Sequence, residues 1–343
     1  MGTKHEALLY EKLDGKKVHC FLCPRDCRIA DGKSGYCGVR KNEGGTLYTM
    51  IYGVVSSVNV DPIEKKPLFH YLPGSKCFSL GTLGCNMRCI HCQNWQISFA
   101  GEKEVSASEG TNYLSPEKAI DMALQSGSKS IAWTYNEPTI WMEYTLDCAK
   151  IAKKAGLKTI YVTNGYITPQ GLDTIGPYLD VFRVDIKGFT KEFYSKLAKI
   201  KNYETILDAT IRAKKKWNMH VEAITLIIPD WNDDEAQLSG IANWIKDNLG
   251  PDTPWHVTQF MPYLELADKE PTPIPTLERA QKIGTDAGLK YVYIGNVPGH
   301  KGENTYCPNC SKLLIERVGY KTQIIGMSDN KCANCGESIP VII

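Results

Sequence analysis

The chain has 343 residues, 43% of them hydrophobic, with 40 basic side chains against 38 acidic ones and a net charge of +2. That is ample apolar material for a sizeable core, and so even a balance gives no bulk electrostatic case for nucleic acid or an anionic membrane as partner. No apolar run approaches the length that spans a bilayer, and the opening Met1-Gly2-Thr3-Lys4-His5-Glu6 lacks the apolar segment of an export signal, so a cytoplasmic location is expected.

Thirteen cysteines are present. In a short secreted chain they would form a disulfide scaffold; in a long one, gathered in Cys-x-x-Cys pairs, they read as metal ligands in a reducing compartment. Four lie near the N-terminus, three in a central loop and four near the C-terminus, leaving Cys77 and Cys148 over.

Residues 1–75 read as a small cysteine-rich module. Cys20, Cys23, Cys27 and Cys37 are interleaved with Gly32, Gly35 and Gly38, and glycine lets a backbone turn around a metal without steric penalty. Four thiolates could hold zinc or an auxiliary [4Fe-4S] cluster, and spacing alone does not decide. Residues 46–55 are β-branched and aromatic enough for a strand. Residues 61–70, punctuated by Pro62 and Pro67, read as an extended connector into the core.

Residues 76–298 alternate between two patterns. Apolar β-rich runs fall at 76–83, 129–134, 158–163, 180–186, 219–228 and 255–261, with a weaker one at 290–294. Between them lie helical stretches. Ser115-Pro116-Glu117 is a helix start. Ile140, Tyr144, Cys148, Ile151, Ala152 and Ala155 make one apolar helical face, which places Cys148 in the core, and Gly156 ends that helix. Asp233-Asp234-Glu235 charges the first turn of another. Six βα units in a row predict an α/β fold whose parallel sheet curls into a barrel or partial barrel, with its active site at the C-terminal strand ends.

Just after the first of these strands come Cys85, Cys89 and Cys92, three sulfurs on one short loop. A four-iron cube takes one ligand per iron, so three cysteines leave an iron open to a small chelating molecule. The blander reading is half a zinc site. Other strand ends carry Tyr135-Asn136-Glu137-Pro138, Thr163-Asn164-Gly165, Asp185-Ile186-Lys187 and Met261-Pro262-Tyr263. Any one of these could be a capping turn. Four converging on three thiolates point to a site. Residues 299–343 form a tail in which Cys307 and Cys310 are separated by 21 residues from Cys332 and Cys335. That is the spacing of a zinc ribbon, a closed structural site.

These motifs resemble the radical S-adenosylmethionine (SAM) superfamily, and within it the activating enzymes of glycyl-radical enzymes such as pyruvate formate-lyase. The shared features are Cys85-x3-Cys89-x2-Cys92 followed by Gln93-Asn94, the Thr163-Asn164-Gly165 turn, Asp185-x-Lys187 and Ile228-Pro229-Asp230. The whole of 20–343 is similar to the radical SAM member of the AmmeMemoRadiSam system, through the N-terminal cysteines, residues 61–70, Tyr135–Pro138, Tyr293–His300 and Asn304–Pro308. The resemblance implies a partial (β/α)6 TIM-like barrel. It implies a [4Fe-4S] cluster on Cys85, Cys89 and Cys92, with SAM on the open iron. It also places Asn94, Asp185 and Lys187 near the methionine moiety of SAM, Asn136 and Glu137 in the turn that receives its amino group, Asn164 in the shared turn, and Met261 near the adenine. The implied activity is reductive cleavage of SAM, with an external one-electron donor, to a 5′-deoxyadenosyl radical that takes hydrogen from a partner protein or a small molecule. Memo-like and AMMECR-like proteins are the implied partners. Two departures stand out: Tyr135-Asn136 replaces the family's Gly-Gly, and Val162 replaces an acid before the shared turn. The competing class is a non-catalytic iron–sulfur carrier or zinc-ribbon scaffold.

Overall fold

The computed structural model describes residues 5–108 and 113–343, so the first four residues of the segment read for an export signal lie outside it. Its centre is an eight-stranded sheet. In chain order the strands are β1 (Ser57–Pro62), β2 (Lys76–Gly81), β3 (Ser130–Trp133), β4 (Lys158–Thr163), β5 (Val181–Asp185), β6 (His220–Ile227), β7 (Trp255–Gln259) and β8 (Val292–Gly295). Neighbours in sequence are neighbours in the sheet, β2 to β8 run parallel, and β1 pairs antiparallel along the free edge of β2. The helices α1 (Pro116–Gln125), α2 (Met142–Lys154), α3 (Pro169–Ile175), α4 (Glu204–Lys215), α5 (Glu235–Leu249) and α6 (Ile274–Asp286) fill the crossovers. Six βα units therefore run from β2 to α6, with β8 continuing the sheet.

Burial on both faces explains why these strands read as unbroken apolar runs. All four residues of β3 and of β8 are buried. The edges of the sheet remain unpaired with each other, yet the loop after β2 reaches the loop after β7, where the Glu265 N–H donates to the Ile90 carbonyl at 2.9 Å. Contact between loops from distant strands shows the sheet to be curled.

Local chemistry sets the helix ends. Ser115 caps α1, its hydroxyl accepting from the Lys118 N–H at 3.2 Å, with Pro116 in the first helical position. The α2 helix closes at Gly156, with φ +78°, and the Leu157 N–H returns to the Ala152 carbonyl. Asp234 caps α5 rather than lying inside it. Cys77 and Cys148 are fully buried in the core.

Two sequence readings differ from the structure. The connector read over 61–70 begins inside the sheet: Asp61 and Pro62 close the edge strand β1, and Ile63–Lys65 then turns away from it. Of 46–55, Thr46–Thr49 is strand; the ladder stops before Gly53, whose φ of +74° a strand cannot hold.

The N-terminal ends of the strands are closed by a charged plug. Glu222 on β6 is fully buried. It accepts from the Phe69 and His70 N–H groups and sits 2.9 Å from His220 Nε2 and 2.7 Å from His256 Nε2. Burial alone would raise its pKa, but the two imidazoles hold it well below the usual carboxylate range. Arg317, from the C-terminal module, stacks 4.1 Å over Phe69 and donates to its carbonyl. His70 reaches Tyr293 at 2.6 Å, and Leu72 and His70 pair with Ile342. One loop, 69–72, thus fastens the C-terminal module to the sheet.

Glu222→Ala, which leaves one buried and one half-buried imidazole and two amides without their acceptor, is expected to cost about 3–5 kcal/mol in denaturant unfolding; a loss below about 1 kcal/mol would show that the plug does not hold the fold. Glu303, beside Arg317, is pushed up by burial to about 7 from the ordinary 4.5. The folded chain then keeps a proton that the unfolded chain has lost between about pH 4.5 and 7, so this group's contribution to stability falls as pH rises through that window. Unfolding measured across the window should show a flatter profile for Glu303→Gln.

Candidate functional site

The parallel sheet delivers its C-terminal ends to one rim, and the loop after β2 lies across it. Backbone bonds pin that loop: Gly84 N–H to the Ile97 carbonyl at 2.8 Å, Ile90 N–H to Leu197 at 3.0 Å and Cys92 N–H to Cys89 at 3.1 Å. Arg88 holds it from inside, donating to the carbonyls of Cys85 at 2.7 Å, Met87 at 2.9 Å and Tyr36 at 3.0 Å. The Cys85 sulfur accepts from the Met87 N–H at 3.4 Å and the Asn164 amide at 3.8 Å.

Glu137, at the end of β3, is the keystone of the rim. It is fully buried and accepts from the Thr139 N–H at 2.9 Å, the Thr163 hydroxyl at 2.7 Å and the Asn164 N–H at 2.8 Å. Burial raises its pKa and these donors draw it back. Asn164 passes the constraint on, its amide bonding Asn86 Oδ1 at 2.9 Å, while the Asn86 amide reaches the Tyr166 carbonyl at 2.7 Å. Asn136 clamps the end of β2 between the Thr82 N–H at 3.2 Å and the Gly84 carbonyl at 2.7 Å. Asn94 donates to the Tyr135 carbonyl at 2.6 Å.

At the end of β5, Asp185 pairs with both Arg183 and Lys187, the latter at 2.8 Å. Burial opposes the charge on Asp185, but the two cations hold its carboxyl down to about 2. Burial pushes the Cys89 thiol up to about 11, with Lys187 drawing it back. Burial likewise drives His91 down to about 3, helped by Lys187, so it is neutral, and its Nδ1 has no hydrogen-bond partner.

The structure thus joins Cys85, Asn94, Asn136, Glu137 and Asn164 in one hydrogen-bonded rim, and sets Asp185 and Lys187 within electrostatic reach of Cys89. Met261, on the loop after β7, is about half exposed and no hydrogen bond links its side chain to this group; its loop is joined to the rim through Glu265 and Ile90. Three contributors escaped the sequence reading: Asn86, Arg88 and Arg183. Arg183 leaves a signal, a charged residue inside an apolar strand beside Asp185.

The cysteine sets differ in spread. Cys307, Cys310, Cys332 and Cys335 have all four sulfurs within 4.8 Å of one another, with Cys307 to Cys335 and Cys310 to Cys332 both 3.6 Å. A tetrahedral ion with metal–sulfur bonds of about 2.3 Å has edges of about 3.8 Å, so this set fits one metal ion. Among the described residues no other three metal-ligating side chains draw that close. Three soft thiols, with amide donors on Cys85 and a cation near Cys89, fit a cluster that is open at one corner.

A parallel βα sheet with three thiols on its first C-terminal loop defines a metal-dependent α/β enzyme. A family model described as the Radical SAM superfamily matches residues 80–239. An uncharacterised protein of Methanocaldococcus jannaschii is 44% identical over 340 residues, covering 98% of this chain and 99% of its own. The pyruvate formate-lyase 1-activating enzyme of Escherichia coli strain K12 is 24% identical over 188 residues, 53% of this chain and 72% of its own. The crystal structure of Streptococcus suis SuiB bound to S-adenosylmethionine shares the fold, with a TM-score of 0.50 at 11% identity over 68% of this chain and 53% of that one. The chain belongs to the radical SAM superfamily and is related to the glycyl-radical activating enzymes.

Glu137→Gln keeps one acceptor oxygen where three donors converge. It should lower stability by about 1–3 kcal/mol in denaturant unfolding; an unchanged midpoint would show that the rim is held by something else.

Proposed function

We propose that the chain binds a [4Fe-4S] cluster through Cys85, Cys89 and Cys92, with SAM at the open iron, and takes hydrogen from a substrate. The carrying observation is the three-thiol loop locked through Asn86 and Asn164 to the buried Glu137. When bound, the cluster and SAM supply a 5′-deoxyadenosyl radical after one electron arrives from an external carrier. The side chains here position and shield, and none is needed as acid or base.

Lys187 and Arg183 share the single carboxylate of Asp185, which leaves one positive charge over. That surplus suits the carboxylate of SAM. Asn136 and Glu137 fix the turn proposed to receive its amino group, and Asn94 fixes the carbonyl of that turn. Met261 is proposed near the adenine.

An open cleft of about 540 Å³ beside the rim is lined by Phe189, Phe193, Trp231, Asp230 and Asp234. It gives a substrate room to approach, and kinship with an activating enzyme favours a segment of a partner protein over a small molecule. Memo-like and AMMECR-like proteins are the partners proposed from the sequence. Among the described residues no helix is long and apolar enough to cross a membrane; a cytoplasmic location is proposed because free thiolates need a reducing compartment. The C-terminal set is proposed to hold structural zinc, a closed site with no room for substrate.

Anaerobically reconstituted protein with SAM and dithionite should release 5′-deoxyadenosine. Cys89→Ala is expected to abolish release and Cys307→Ala to spare it; activity persisting in Cys89→Ala would sink the ligand assignment.

A further inference from the structure

The N-terminal cysteines are unused by the site just described. Cys20 and Cys27 face each other across two antiparallel strands, Val18–Cys20 and Cys27–Ile29. Cys23 lies in the turn between them, and Cys37 arrives from the next loop. All four line a narrow pocket of about 10 Å³ together with Leu22, Ile29, Ile140, Arg25 and Arg40.

Two observations mark this chamber as built for a ligand. First, Arg40 is only 1% exposed, and its Nε and Nη1 have no hydrogen-bond partner. Its other nitrogen donates to Glu143 and to the Leu8 carbonyl, both at 2.6 Å. Buried guanidinium N–H groups without acceptors are costly, and sulfur atoms at the centre of the chamber would accept from them. Second, four soft thiols converge on it from two strands, the turn between them and the next loop, a donor set that suits a cluster with one iron per sulfur.

The chamber also abuts the catalytic loop. A Cβ on Gly84 would stand 2.9 Å from the Cys37 carbonyl oxygen, so the residue before Cys85 touches the chamber wall. Arg25 donates to the Asn86 carbonyl at 2.8 Å and stacks 3.6 Å over Tyr36. On the far side, the Leu22 carbonyl accepts from the Thr168 N–H at the start of α3.

We infer that Cys20, Cys23, Cys27 and Cys37 hold a second [4Fe-4S] cluster that hands electrons to the cluster on Cys85, Cys89 and Cys92. An external low-potential one-electron carrier reduces the chamber cluster. One electron then leaves it, raising it one oxidation level, and enters the neighbouring cluster, lowering that by one; no atom moves. The metal site stands by itself, whereas the hand-over rests on the SAM-cleaving reading.

The test uses the full chain, reconstituted with iron and sulfide without oxygen. The wild type should carry about eight irons and eight sulfides, two cubes, besides the C-terminal metal. About four irons with a second equivalent of zinc would overturn the site. The variant with Cys85, Cys89 and Cys92 changed to alanine should retain about four irons, and Cys20→Ala/Cys23→Ala should also retain about four. In that second variant SAM should still shift the electron paramagnetic resonance of the remaining cluster; loss of the shift, with iron retained in the first variant, would count against the catalytic reading and leave the chamber standing. In fully reduced wild type the two clusters should broaden each other's resonances. A spectrum equal to the sum of the two variants' spectra would overturn the hand-over.

Discussion

A carboxylate buried in an apolar interior needs its charge met by donors, and where those donors sit decides what it can hold. Glu137 meets this requirement at the ends of two strands at once. Its oxygens take the Thr139 N–H beyond β3 and the Thr163 hydroxyl and Asn164 N–H at the end of β4. Because Asn164 also bonds Asn86 and the Cys85 sulfur, one charge fixes two strand ends and the loop that carries the thiols. A loop able to wander would scatter three cluster ligands; here their anchor lies inside the core.

The opposite rim uses the same device with a different solution. Glu222 is met by two imidazoles as well as by two backbone amides, and its pKa falls. Glu137 is met by uncharged dipoles alone, and its pKa rises. Backbone and hydroxyl dipoles satisfy the hydrogen-bonding of a buried carboxylate without repaying the full loss of hydration; two further ring-nitrogen partners repay more. The plug is thereby the more strongly ionised of the two. It is also the one that carries a whole module, since loop 69–72 binds Glu222 on one side and Arg317 and Ile342 on the other.

What the sequence disclosed follows from what leaves a local signature. Parallel strands buried on both faces appear as apolar runs, Ser115-Pro116 and Gly156 mark helix ends, and paired cysteines announce metal sites. Residues whose role lies in distant contact leave none. Arg25 and Arg88 look like ordinary surface cations in the sequence, yet one joins two cysteine sets and the other holds four carbonyls. The edge strand β1 was hidden by Pro62 and by alternation with polar residues, which suits an antiparallel edge that faces water on one side. Glu222 and Arg183, charges set in apolar strands, were the readable exceptions.

Tyr135 shows how a departure from a family pattern can be absorbed. It sits at φ +74°, a region that glycine enters freely and that costs a side-chain-bearing residue about 1–2 kcal/mol. The tyrosine ring offsets the strain by reaching out of the turn. Its hydroxyl donates to Asp61 at 2.6 Å and accepts from Asn59 at 3.2 Å, and the Lys66 ammonium lies 5.1 Å from the ring. All three partners lie on β1 or just beyond it. A glycine would relax the backbone but release the edge strand from the rim. The turn therefore keeps the backbone course that glycine permits, and the side chain makes β1 part of the wall of the site.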